Sequence, residues 1–171
     1  MPGYVIHLSI AEEYLRKHKN NENYSEFIEG VIFPDGVKDK SETHFGNGSS
    51  HSNLFEFLKE NKINNSFNRG YFLHLLTDYL FYNKYINIFS KDIYNDYDIL
   101  NEDLICKYNV KLPEKIRNKV FFKKGNLALL SKELVEKVID EISSLDIDKV
   151  AYEVTQNKEK WTTYRELIKL D

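Results

Sequence analysis

Apolar residues recur along this chain mostly three and four positions apart rather than in alternation, and only three prolines and seven glycines interrupt them. The pattern predicts an all-α fold. A first helix is expected over residues 4–17, with Val5, Leu8, Glu12 and Leu15 along one side and His7, Ile10, Ala11 and Tyr14 along another. A second begins near Ser25, where Asn23 followed by Glu26 resembles a capping box, and ends before Pro34. PDG at 34–36 reads as a turn, followed by a polar loop, DKSETHFGNGSS. Ser49 or Ser50 is placed to cap a third helix carrying Leu54, Phe55 and Leu58. A fourth is entered through Asn68 and runs to about residue 88.

The second half is less distinctive. Residues 92–103 are acidic and 107–124 basic, and both runs read as solvated helix faces. Pro113 is expected to open a short helix, Ser131 to cap one reaching about residue 143, and Asp148 to cap the next. Trp161, Tyr164, Leu167 and Ile168 suggest a last amphipathic segment docked on the body. With no repeat, low-complexity segment or linker, residues 1–171 read as a single helical domain.

Composition narrows the classes. The chain has 171 residues, 42% hydrophobic and 30% charged, as expected of a soluble globular domain. A net charge of −3 weighs against a dedicated nucleic-acid binder, which needs a basic face, but not against a small anionic substrate. MPGYVIHLSIAEEYLRKH lacks the features of a secretory signal, and Asn83, Lys84 and Asn87 break the longest apolar run, so neither leader nor membrane span is expected. The lone Cys106 suits a reducing cytoplasm and, with no histidine beside it, reads as a structural thiol. No protein partner is evident.

The chemistry concentrates in GYFLHLLTDYLFYNKY, residues 70–85. His74 and Asp78 are four apart in its most apolar part, hence on one helix face, one turn above the other. A buried carboxylate without a partner costs several kcal/mol, so something must compensate Asp78. A lysine or a backbone cap is one answer, with His74 donating to a carbonyl. The other histidines favour a second. His18 lies in a basic tail, RKHKN, and is expected to face solvent. His7 sits on an apolar helix side, where a core histidine is the usual finding, whereas His44 lies in a polar Gly-rich loop that neither packing nor propensity explains. Asp35 is accounted for as well by its turn as by function. One divalent cation accounts for the whole set, because imidazoles and carboxylates are its ordinary ligands.

The order His7, FPDG with Asp35, THF with His44, and GYFLHLLTDYLF with His74 and Asp78 resembles the zinc-dependent phospholipase C family and, more distantly, the fungal zinc-dependent nucleases. The resemblance covers about residues 1–90; residues 91–171 lie outside it. It implies a helical bundle that hydrolyses phosphate esters at a cluster of zinc ions. Asp35, His44, His74 and Asp78 would hold one metal, with Asp35 also a candidate base toward water, and Asp78 would bridge to a second metal that His7 also ligates. Two departures matter. The amino-terminal tryptophan that serves the family's second metal is replaced by MPGY, and the third metal's later histidines are missing, because none follows His74. The expectation is one firm site, with His7 as a candidate fifth ligand. Zinc suits these ligands, as do iron, manganese and nickel.

The expected function is therefore a metal-dependent phosphoesterase, phospholipase C-like, acting through a metal-activated water on a small phosphorylated substrate or lipid head group. His51 either begins the third helix or reaches the site or its substrate, and Lys38 and Lys40 are either solvated or meet a phosphate. Tyr71, Tyr79 and Tyr82 are expected to serve core packing before base stacking. The alternative is a catalytically inactive metal-binding helical module with a structural or partner-binding role. Phosphohydrolases of the HD-domain type are a weaker match, since the chain contains no adjacent His-Asp pair.

Overall fold

A helix that is apolar all round has no face to give to water and must be enclosed by others. Ser66–Leu80 is such a helix, buried without a break from Gly70 to Tyr79. The computed structural model describes residues 2–19 and 21–170, and among these the helices are α1 (Tyr4–Lys17), α2 (Tyr24–Ile32), α3 (Lys40–His44), α4 (Leu54–Glu60), α5 (Ser66–Leu80), α6 (Asp92–Tyr108), α7 (Lys132–Ser143), α8 (Ile147–Gln156) and α9 (Lys158–Trp161). The fold is all-α. Around α5 pack α2 on one side and α4 and α8 on others, while α1 lies against α2, α6 and α7.

The α2–α5 crossing is unusually close. A Cβ placed on Gly30 would lie 2.0 Å from the Phe67 carbonyl oxygen, and one on Gly70 would lie 2.0 Å from that of Phe27. Real Cβ atoms do not approach oxygen so closely, so each helix needs glycine where the other's backbone passes.

Several helix ends differ from the sequence expectation by a few residues, for one recurring reason: polar runs offer more than one cap. Asn23 caps α2 as expected, accepting from Glu26 N at 3.1 Å. Asn53, rather than Ser49 or Ser50, caps α4, because the fully buried Leu54 follows it directly. Asn65 caps α5 and accepts from Asn68 N, placing the start before Asn68. Asp146, rather than Asp148, caps α8. Within the expected polar loop, Asp39 caps the short α3. After Leu80 the fourth helix continues only as a π-type turn, Phe81–Tyr85.

Two other expectations are corrected. The basic stretch 107–124 is not a helix face; it leaves α6 at Tyr108 and, apart from a 3₁₀ segment at Glu114–Lys119, is irregular. The chain end docks through Trp161 but is extended beyond it: β2 (Ile168–Lys169) pairs in parallel with β1 (Ile88–Phe89), and Ile168 is exposed rather than buried. Cys106 is exposed too, on α6, and packs no core.

Asp96 fastens the irregular segment. Fully buried, it accepts from the backbone amides of Ala128, Leu129 and Leu130, each at 2.8 Å. Asp96→Ala leaves these amides without their acceptor and is expected to cost about 3 kcal/mol or more in urea unfolding; a loss under about 1 kcal/mol would show that the segment finds other acceptors.

Candidate metal centre

Three short pieces of chain bring their side chains to α5. His7 arrives from α1, Asp35 from the 3₁₀ turn Phe33–Gly36, and His44 from the last position of α3. The side chains of His7, Asp35, His44, His74 and Asp78 are all between 0% and 1% exposed. The α2–α5 crossing sets the geometry, since it carries the Val31 carbonyl to within 2.6 Å of His74 Nδ1.

That contact and its counterpart on His44 decide what the centre can bind. A carbonyl only accepts, so His74 Nδ1 carries the proton it gives to Val31, and His44 Nδ1 carries the one it gives to the Lys40 carbonyl at 2.9 Å. In the neutral rings both Nε2 atoms then present lone pairs inward. They point at other lone pairs: Asp78 Oδ2 lies 2.9 Å from His44 Nε2 and 3.3 Å from His74 Nε2, and Asp35 Oδ1 lies 3.7 Å from each. Such an arrangement requires positive charge at its middle. Backbone acceptors on the outer nitrogen are also how metal-binding histidines are held.

One ligand atom from each of Asp35, His44, His74 and Asp78 lies within 4.8 Å of the other three, close to twice a zinc–ligand bond of about 2.0–2.2 Å. The residues thus fit one dication. Asp35 Oδ2, Asp78 Oδ1 and His74 Nε2 are buried with no hydrogen-bond partner.

Ionisation follows the same pattern. Burial pulls the His74 pKa down, but Asp35 and Asp78 outweigh it and leave it raised. His7 is lowered, first by burial and then by His74, against the pull of Asp78. Burial would raise both carboxyls, yet the imidazoles hold Asp35 below the usual range and Asp78 well below it.

His7 joins the site from the far side of Asp78. Its Nε2 lies 3.1 Å from Oδ1, the oxygen that His44 and His74 do not meet, and its ring stacks on His74 at 3.7 Å and 4°. It stands outside the four-residue group, beside its bridging carboxylate. Lys40 reaches the centre from its edge: its Nζ is 3.0 Å from Asp35 Oδ1 and 2.8 Å from the Asp35 carbonyl. Lys38 is exposed. His51 is also exposed, in a 3₁₀ turn, with Nδ1 2.8 Å from Ser50 Oγ and its ring near Tyr164; the structure does not bring it to the cluster. His18 is half-buried rather than solvent-facing, stacked on Tyr14 and bonded to the Ser143 carbonyl.

Two neighbours were not legible as site residues. Tyr4 donates to the Asp35 carbonyl at 3.0 Å. Tyr97 on α6 is buried with an unpartnered hydroxyl, and burial, then Tyr94, Asp78 and Asp35, push its phenol well above the ordinary range. In the sequence Tyr97 keeps core spacing with Ile93, Leu100 and Leu104, which hides it.

No protein-family model matches this chain, and no curated protein or solved structure does either.

Proposed function

We propose that this protein is a metal-dependent hydrolase of phosphate esters, with zinc the first candidate ion. The observation that carries the reading is the pair of inward Nε2 lone pairs, fixed by backbone carbonyls and set against two carboxylates in a buried site. The motif resemblance to zinc-dependent phospholipase C supplies the reaction class. A bound dication would supply the charge that lowers the pKa of a water toward 7 and polarises a phosphoryl oxygen. His44, His74, Asp35 and Asp78 would hold it, and Asp35, whose Oδ2 is buried and unpartnered, would take the proton. A small phosphorylated substrate or lipid head group fits this chemistry. Among the described residues no helix is long and apolar enough to cross a membrane. The single Cys106 suits a reducing compartment, and we place the protein in the cytoplasm on that ground.

A second reading has an observation of its own. Ligand side chains no more than 1% exposed also describe a structural ion in an inactive module. Chelation separates the two. The hydrolase reading expects zinc-loaded protein to turn over a chromogenic phosphate ester, chelation to stop it without unfolding the chain, and Asp35→Asn to slow it by about 10²-fold or more. Unfolding on chelation, with no ester turned over by the loaded protein, would establish the structural ion.

A further inference from the structure

Lys40 belongs to two places at once. Its ammonium sits on Asp35, and its side chain also lines a cavity of about 350 Å³ with Tyr82, Phe89, Tyr94, Ser50 and Lys169. A small-molecule site typically starts at about 300 Å³. The walls come from elements far apart in sequence: Tyr82 lies one turn beyond Asp78, Phe89 is in β1, Tyr94 is on α6, and Lys169 is in β2, which the parallel pairing brings alongside. A second connection runs through aromatic edges, Phe89 to Tyr94 at 6.2 Å and Tyr94 to Tyr97 at 6.1 Å, ending at the buried phenol influenced by Asp78 and Asp35.

The lining has a definite chemistry. It carries two lysines and no carboxylate, and one of the two, Lys40, reaches from the cavity to Asp35. The same lining carries three aromatic side chains, Tyr94 nearly half exposed. Amines against aromatic faces suit an anion joined to a flat organic group.

We infer that this cavity is the substrate pocket: Lys40 and Lys169 hold the phosphoryl oxygens of a small soluble organic phosphate, and its ring lies against Tyr82, Phe89 and Tyr94. The inference rests on the phosphohydrolase reading for the identity of the anion. An anion here competes with Asp35 for the Lys40 ammonium, so occupancy uncovers the carboxylate that Lys40 otherwise covers.

The test is calorimetric titration of the zinc-loaded full chain with inorganic phosphate and with phenylphosphonate, which no phosphoesterase cleaves, with metal content measured on every sample. Lys169→Gln and Tyr94→Ala alter the walls without touching a ligand of the centre. Phenylphosphonate is expected to bind about tenfold more tightly than phosphate. Lys169→Gln should weaken both by about tenfold. Tyr94→Ala should weaken phenylphosphonate alone, and both variants should retain wild-type zinc. Wild-type binding by both variants overturns the pocket, even if esters are hydrolysed. Weakened binding in the variants, with no phosphate ester hydrolysed by the wild type, leaves the pocket standing and removes the hydrolase. Binding of dihexanoyl-phosphatidylcholine without phenylphosphonate overturns the soluble aromatic ligand in favour of a lipid head group.

Discussion

Purified without added metal, the wild-type chain is expected to carry about one transition-metal ion, and Asp78→Asn almost none. Asp78 is the hinge of the centre: one oxygen faces His44 and His74, the other faces His7, and the carboxylate is fully buried. Replacing it with an amide removes a negative charge and sets an NH₂ or a neutral carbonyl against the Nε2 atoms. The expected loss of affinity is at least about 10²-fold, more than is typical for groups that only orient ligands. His74→Ala should behave alike. His7→Gln, if His7 only braces Asp78, should lose about 10- to 100-fold and still load at high zinc. Elemental analysis and competition with a chromophoric chelator read all three. Full metal content in Asp78→Asn would remove the centre described here. Affinity should also fall with pH in a defined sense. The His74 pKa is raised in the metal-free fold, so below that pKa a proton occupies the nitrogen the metal needs, and uptake there must release it.

Gly70→Ala is expected to destabilise the fold by about 3 kcal/mol and to weaken metal binding together with it. The new methyl would begin 2.0 Å from the Phe27 carbonyl oxygen, which is backbone and cannot rotate aside. The helices must part, and parting α2 from α5 lengthens the 2.6 Å contact between Val31 and His74 that fixes the histidine's orientation. Gly30→Ala, against the Phe67 carbonyl, should do the same. Gly36→Ala is the control: nothing lies within 4 Å of its added Cβ, so stability should change by no more than about 0.5 kcal/mol. Thermal melts with and without zinc distinguish the cases. A Gly70→Ala protein with wild-type stability and zinc affinity would mean that the crossing relaxes freely.

What could be read beforehand had a local cause. His74 and Asp78 stood out because burying them in an apolar helix is costly, and His44 because nothing local explained it; the structure brings both sets together with Asp35. Asn23 was legible as a cap because Glu26 stands three residues on, although in the fold the Asn23 amide turns to Ser66 Oγ and only the Asn23 half of the box forms. Asn53, Asn65 and Asp146 were not, each lying among other residues able to cap. What escaped depends on distant partners. Pairing Ile88 with Ile168 leaves no mark on two-residue strands, and Lys40 resembles any loop lysine until Asp35 is seen beside it. Gly30 and Gly70 went unread, and only the close crossing shows their role. A glycine inside a helix costs roughly 1 kcal/mol against alanine, so two at helical positions ask for a reason, and the crossing is it.

The parallel stack of His7 on His74 makes the two rings a single ledger of charge. At 3.7 Å, two imidazolium ions would repel by about 4 kcal/mol even in a well-screened protein site. The downward shift of His7 comes first from burial and then from His74, while Asp35 and Asp78 raise His74. Of the two stacked rings, His74 is thus the one that the carboxylates favour for positive charge, and a second charge on His7 is opposed both by burial and by its neighbour.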